Sequence, residues 1–528
     1  MDAKTAQMDR EVARAAGALR QATRELRRRG PEAVAIAEGA EGARPSNPLA
    51  PFRRVSTRAA YLELTGSDEG IGAELGLTSA SVVPIIGADG SAQVSLAAAM
   101  RQPDPLSLAI AAWVAHLTLE RVLFEDRLRV MEAWHAPSAS VDAAALRASS
   151  RSGGATGAAA SARPAGTTRV SPRKALLGLL AAPTESARRA FADALARGAG
   201  PIQEAARWEA ARRAEAQRQL GVDEQVAALE LPCDPPEALL RVAGEILERT
   251  EPLVERGGSW DAALARALGR EAGEGWPARL TRRWIEELFR SSGLTAGLVL
   301  DLEPLPAALG ASSFARALGR FGGALAEASA PRAAPFALVH PPLDLRRARR
   351  AALFGGLVAD PIFNASALGL GRGRARDQAR AAARALVLTL RLDAARVRLA
   401  HGRRAGLPDH PLLLSPREGA GRFEEETDRA LGAPIPGALA GVVPDLGAPA
   451  ALDLTGALLA ASDRRALIER FDEDWFRSPH AVEAIRAEEG VFPAAPGLLA
   501  PATPRPSAQA AELEAGLEEL VRVLRALE

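Results

Sequence analysis

Cysteine is almost missing from this chain of 528 residues: Cys233 stands alone, so no disulfide forms within it and no cysteine-rich zinc site is available. Lysine is limited to Lys4 and Lys174, which makes nearly all of the 66 basic residues arginine and dilutes the meaning of any one of them. Tyr61 is the only tyrosine. Neither sign of charge prevails: 66 basic against 65 acidic side chains leave a formal +1, which excludes a globally basic nucleic-acid coat and an acidic tail protein. Long apolar runs are lacking too. The most apolar long segment, Leu106 to Trp134, is interrupted by His116, Glu120, Arg121, Glu125, Asp126, Arg127 and Arg129, which argues against a membrane-spanning helix. The first 29 residues contain no apolar core of a secretory signal, so the sequence reads as that of a cytoplasmic protein.

What is present is an apolar fraction of 48%, ample for a core, in a chain long enough for roughly two to four domains. Residues 3–29 form a charged helical pattern that stops at Gly30-Pro31. Ser81 to Leu96 carries the best strand signal, two apolar runs around Ala88-Asp89-Gly90, which predicts a β-hairpin with Pro84 on an edge. A long helix follows from Asp104-Pro105 to Trp134, with Asp as cap and Pro in the first turn. Residues 136–172 break the pattern and read as a disordered linker, because the run Ala148 to Arg169 has no large apolar side chain to offset chain entropy.

After Pro172 the chain reads as helices punctuated by Pro and Gly, among them 311–329, 343–358, 373–400, 421–431, 450–460, 462–475 and 479–488. Short extended pieces are expected at 297–302 and 336–340. A Pro-rich tether, 492–507, leads to an amphipathic helix over 508–528, whose face of Leu513, Leu517, Leu520, Val521 and Leu524 needs a partner surface. The fold expected is mainly α: an N-terminal module over 1–135 of helix, hairpin and long helix, then a large multi-helix domain over 173–491.

Arg346, Arg347, Arg349 and Arg350 open a stretch to Arg404 that holds fourteen arginines and three aspartates. Arginine grips phosphate and carboxylate bidentately, so this stretch is a candidate surface for an anion or an acidic partner. The bland alternative is the wet face of helices buried through Leu386, Leu390 and Val397. No aromatic residue follows Phe363 here, which disfavours single-stranded nucleic acid. His116 and Glu120 lie four apart and Glu132 and His135 three apart, a spacing used by di-iron carboxylate bundles, but such bundles need two Glu-x-x-His motifs and Glu132 begins the only one. There is no Gly-x-Ser-x-Gly elbow and no phosphate-cradling Gly-x-x-x-x-Gly-Lys-Ser/Thr loop. Cys233 lies in a proline-flanked loop without a nearby histidine.

The amphipathic helix from Ser313 to Ala328 carries three interior glycines, each costing about 1 kcal/mol relative to alanine. Close helix packing explains such glycines, and so does descent from a motif. Leu318-Gly319-Arg320-Phe321-Gly322-Gly323-Ala324-Leu325 resembles the zinc helix of the oligoendopeptidase and thimet-like metallopeptidases, His-Glu-x-Gly-His-Ala-Leu. Gly319 and Gly323 stand where that family has its two histidines, and Arg320 where it has its general base. The region of the third ligand reads Asp344-Leu-Arg-Arg-Ala-Arg-Arg350, without a glutamate. The helix Asp377 to Leu399, Phe423-Glu-Glu-Glu426 and Phe471-Asp-Glu-Asp-Trp-Phe476 are similar to the closing helices of the family over roughly 173–490.

What the resemblance implies is a peptidase-like helical domain without its metal chemistry. Catalytic zinc needs three protein ligands, an open position and a base. Glycine supplies no ligand, and an arginine at the base position repels the cation. The expectation is a non-catalytic protein without cofactor that holds a peptide or protein partner, with Gly319, Arg320, Gly323 and Asp344 as degenerate site positions. A helical scaffold with an arginine surface is the second reading, and an enzyme with an unrecognised site the third.

Overall fold

Alanine and leucine at helical spacing, punctuated by Pro and Gly, set the architecture. The computed structural model describes residues 3–31, 34, 45–56, 105–142, 167–220, 236–268, 276, 282–290, 311–330, 334–442, 448–489 and 506–527. Among these residues the fold is mainly α, with eighteen α-helices and one two-stranded sheet. In chain order they are α1 (Ala3–Arg29), α2 (Pro105–Val122), α3 (Phe124–His135), β1 (Ala139–Asp142), β2 (Thr167–Val170), α4 (Pro172–Ala181), α5 (Glu185–Gly198), α6 (Gly200–Leu220), α7 (Pro236–Arg249), α8 (Trp260–Leu268) and α9 (Arg282–Leu288). There follow α10 (Ala311–Ser329), α11 (Phe336–Val339), α12 (Leu345–Gly355), α13 (Pro361–Leu368), α14 (Arg372–His401), α15 (Pro416–Leu431), α16 (Ala448–Phe471), α17 (Pro479–Glu489) and α18 (Pro506–Leu527).

An N-cap side chain sets the starts of α4, α5, α12, α13 and α15. Asp344 accepts the Arg347 N–H at 3.0 Å to open α12, and Asp360 accepts the Ile362 N–H at 2.8 Å to open α13. Ser415 caps α15 ahead of Pro416, so that helix begins five residues before the 421 expected from periodicity. The predicted break between 460 and 462 is absent. Ser462 and Asp463 lie inside α16, where the Asp463 carboxylate accepts hydrogen bonds from Arg349 and Arg350 instead of capping a new helix. The expected extended piece at 336–340 is instead the short helix α11, because the Asp9 carboxylate of α1 accepts the N–H groups of Phe336 and Ala337 at 2.9 and 2.8 Å.

Among the described residues three large apolar clusters, with two smaller ones beside them, hold these elements. One gathers α1, α2 and Ala337 of α11, around Val12, Ile110, Trp113 and Leu117. A second, aromatic one joins α9, α10, α12, α13 and α17, with Phe289 stacked on Phe321 at 4.3 Å and Phe354 edge-on to both. The largest runs from β1 and β2 through α4, α5, α7, α8 and α15 to α18. Two long helices cross from cluster to cluster. α14 places Ala382 in the aromatic cluster and Leu392 in the largest one, and α16 does the same with Leu467 and Leu458.

At its two ends the span 136–172 is structured and not linker, while 143–166 lie outside the described residues. Its two ends pair as an antiparallel ladder, Ala139 opposite Val170 and Asp142 opposite Thr167, and Ala139, Val141 and Val170 are buried in the largest core. In β1 the alternation buries Ala139 and Val141 on one face, whereas β2 buries only Val170, a signal that the Ala/Ser/Gly composition of the middle conceals. The last helix finds its partner surface in this chain. Leu513, Leu517 and Val521 of α18 enter the largest core, while Arg249 holds Glu518 at 2.5 Å across the helix boundary. The predicted hairpin Ser81–Leu96, the extended piece 297–302, Cys233, Tyr61 and most of the tether lie outside the described residues.

No single helix among the described residues is long and apolar enough to cross a membrane. The bent pair Leu345–Ala359 and Pro361–Leu368 passes by composition alone, and its Phe354, Val358 and Phe363 belong to the aromatic core.

Candidate functional site

α10, α12 and α16 pack as one layer because their crossings are lined by residues without bulk. A Cβ on Gly319 would lie 3.1 Å from the Ala351 carbonyl oxygen, and one on Gly323 would lie 3.1 Å from Cγ of Arg347. At Gly322 it would intrude on the Arg350 carbonyl. On the other side of α12, a Cβ on Gly456 of α16 would reach 3.0 Å from Cβ of Ala348. The interior glycines of α10 are thus accounted for by backbone approach to α12, whose gain in contact offsets their low helix propensity.

Beside this layer, where α1, α10, the segment after α11, α12 and α16 converge, a half-enclosed cleft of about 290 Å³ opens. Its lining combines Arg20 from α1, Glu327 from α10, His340, Pro341 and Pro342, then Asp344, Arg347, Ala348 and Ala351 at and along α12, and Leu452 and Asp453 from α16. Arg20 is placed by aromatic rings: its guanidinium lies 6.0 Å from the centre of the Trp113 ring and 5.8 Å from that of Phe336, a cation–π arrangement. Trp113 is fixed in turn, its indole N–H donating to the His340 carbonyl at 2.7 Å.

The electrostatics of the lining are mixed. Burial lowers the affinity of Arg20 for its proton, and nearby Glu327 opposes that effect. His340 is held below the ordinary imidazole value by burial and by the charge of Arg20. Asp453 is pushed up by the protein around it, with Arg396 of α14 opposing. Beside it Asp393 of α14 is pushed up to about 7, chiefly by burial, while Arg396 donates to it at 2.8 Å. The cleft thus offers hydrogen-bond donors and acceptors of both signs on largely apolar walls, an arrangement suited to binding a polar chain segment.

The residues singled out from the sequence separate. Asp344 and Arg347 line the cleft. Gly319 and Gly323 lie in the helix crossing, and Arg320 is absent from the lining. The four clustered arginines do not form one surface. Arg349 and Arg350 both donate to Asp463, Arg350 at 3.0 Å and itself buried, and Arg346 bonds the Val339 carbonyl. Further along the stretch, Arg391 is completely buried, donating to the carbonyls of Ala430 at 2.8 Å and Leu247 at 2.7 Å, to Thr250 at 2.6 Å and to Glu251 at 3.0 Å. Arg398 pairs Glu426 at 2.9 Å. Neither an exposed anion surface nor a uniformly wet face describes this stretch, since many of its guanidinium groups are internal clamps.

The histidine pairs fare similarly. Glu120 pairs with Arg127 rather than with His116. Burial and the charges of Arg127, Arg213 and Arg20 push His116 down to about 3. His135 packs against the turn at Gly30. His401 and His410, nine positions apart in sequence, are near enough in space that the charge of one lowers the other, and burial takes His410 to about 3. Among the described residues no three His, Cys, Asp or Glu side chains converge as a metal-holding group.

Sequence reasoning missed Arg20, His340 and Asp453 as a group. They come from α1, the end of α11 and α16, and are brought together by long-range contacts such as Asp9 to Phe336 and Trp113 to His340 and by the packing of α12 on α16. The one local signal was Pro341-Pro342 following His340, a stiff exit from a short helix. No model of a known protein family matches the chain, and no curated protein sequence is detectably similar to it.

Proposed function

We propose that the chain is a non-catalytic binding module that holds a peptide, or a segment of a partner protein, in the cleft between α1, α10, α12 and α16. The observation that carries this reading is the cleft itself: three distant parts of the sequence contribute its walls, and charged groups of both signs line it beside Pro341, Pro342, Ala351 and Leu452. Mixed hydrogen-bonding groups on an apolar wall match the chemistry of a peptide better than that of a phosphate, which calls for converging cations alone. The likeness of the 318–325 segment to a zinc helix carries no part of the proposal, because the glycines on which it rests are taken up by the crossing with α12. The arginine stretch adds none either, since Arg346, Arg349, Arg350, Arg391, Arg396 and Arg398 already hold internal acceptors.

The test is retention of peptides from a random library by the purified chain, compared with a Leu452→Trp variant that fills the half-buried mouth. Retention that is saturable and lost in Leu452→Trp, with thermal melting unchanged, supports the reading. Equal retention by both proteins, or none by either, overturns it.

A further inference from the structure

The cleft neutralises most of its own charge. Glu327 faces Arg347 at 3.9 Å, and Asp344 accepts the Arg347 backbone N–H while its carboxylate lies 3.7 Å from Arg346. Among the described residues two lining groups of opposite sign are left without a hydrogen bond or an ion pair. One is the guanidinium of Arg20, held only by the faces of Trp113 and Phe336. The other is the carboxylate of Asp453.

These two do not compensate each other. The charges that weigh on Arg20 are those of Glu327, Arg347 and Asp344, whereas the one that weighs on Asp453 is that of Arg396 on α14. They reach the lining from different elements, Arg20 from α1 and Asp453 from α16. The imidazole of His340, within range of Arg20's charge and neutral at physiological pH, adds a hydrogen-bonding group near Arg20. Pro341, Pro342, Ala348, Ala351 and Leu452 make the remainder apolar.

We infer that the cleft selects a dipolar peptide segment, an acidic group seated at Arg20 and a basic group at Asp453, with apolar atoms against Pro341, Pro342 and Leu452. This rests on the reading of the cleft as a peptide site. A uniformly acidic peptide brings like charge to Asp453 and Glu327, and a uniformly basic one brings it to Arg20 and Arg347, so both are rejected by repulsion as much as by missing contacts. The volume, about 290 Å³, lies at the small end of ligand pockets, enough for a few side chains of a longer segment.

The experiment uses the full chain and three labelled hexapeptides on an alanine background: one with a glutamate and an arginine three positions apart, one with two glutamates and one with two arginines. Binding is measured by fluorescence anisotropy for the wild type and for Arg20→Glu, Asp453→Lys, the double charge swap and Leu452→Trp. The dipolar peptide is expected to bind about tenfold more tightly than either like-charged one, with each single reversal abolishing that preference. The double swap should restore it for the peptide with its two charges exchanged. Equal binding of all three peptides, lost in Leu452→Trp but untouched by the reversals, overturns the dipolar inference and keeps the cleft. Binding of the three peptides that Leu452→Trp also leaves intact, or no binding at all, overturns both.

Discussion

Arg391 and Arg20 are the same side chain in two settings. In the first, a helix enclosed by α7 and α15 delivers a guanidinium into a core where three carbonyls, a hydroxyl and a carboxylate accept its protons. In the second, an exposed helix face leaves a guanidinium over two aromatic rings at the rim of a cleft, with no acceptor among the described residues. The first is an internal fastening, the second an open valence. In a chain whose basic residues are almost all arginine, abundance along the sequence says little about binding. What distinguishes the two is whether the fold has already supplied the acceptors.

Removing the fastening should have the largest effect. Arg391→Met leaves several buried acceptors unsatisfied, each costing about 1–3 kcal/mol, so the expected loss is at least about 3 kcal/mol by urea denaturation. A variant that melts like the wild type would break the contrast. Next comes the helix crossing. Gly322→Ala thrusts a methyl at the Arg350 carbonyl and should cost about 1–3 kcal/mol, whereas Gly319→Ala, with 3.1 Å to Ala351, should cost visibly less. Equal melting of these two variants would mean that α10 and α12 are not in close register.

A smaller effect concerns pH. Asp393, raised to about 7 by burial, with Asp453 adding and Arg396 opposing, keeps a proton that the unfolded chain releases near pH 4. Its contribution to stability is therefore full below that value and is lost as pH climbs toward 7. Asp393→Asn should flatten the dependence of the melting temperature on pH over that window. His116, pushed down to about 3, acts the other way: its contribution stands above about pH 6.5 and fades as the pH falls toward 3. The smallest effect on stability is expected from Arg20→Gln, within about 0.5 kcal/mol, since the guanidinium holds no acceptor. That variant separates stability from binding, because it should alter the preference for charged peptides while the melting curve stays in place.

The helices were legible where helical periodicity is sustained, as in α1, α10 and α14, whose ends fall within one or two residues of the pattern. They were illegible where a distant side chain decided the outcome. Ser462-Asp463 looks like a helix start until Arg349 and Arg350 claim the carboxylate, and Phe336 to His340 looks extended until Asp9 caps it. The strands β1 and β2 are four residues each, too short to stand out in a run of alanine and serine, and they exist because they meet each other. Of the cleft, Asp344 and Arg347 were marked by their place in an arginine cluster. Arg20 and Asp453 carried no local signal, because what sets them apart is a missing partner, a property of the assembled fold.

The Asp9 cap has a consequence for synthesis. The carboxylate and the N–H of Phe336 that it holds are 327 positions apart. At about 5–20 residues per second, roughly 16–65 s separate their emergence from the ribosome. Throughout that interval the cap on α11 cannot form, and the cleft, which also needs Leu452 and Asp453 of α16, is completed later still.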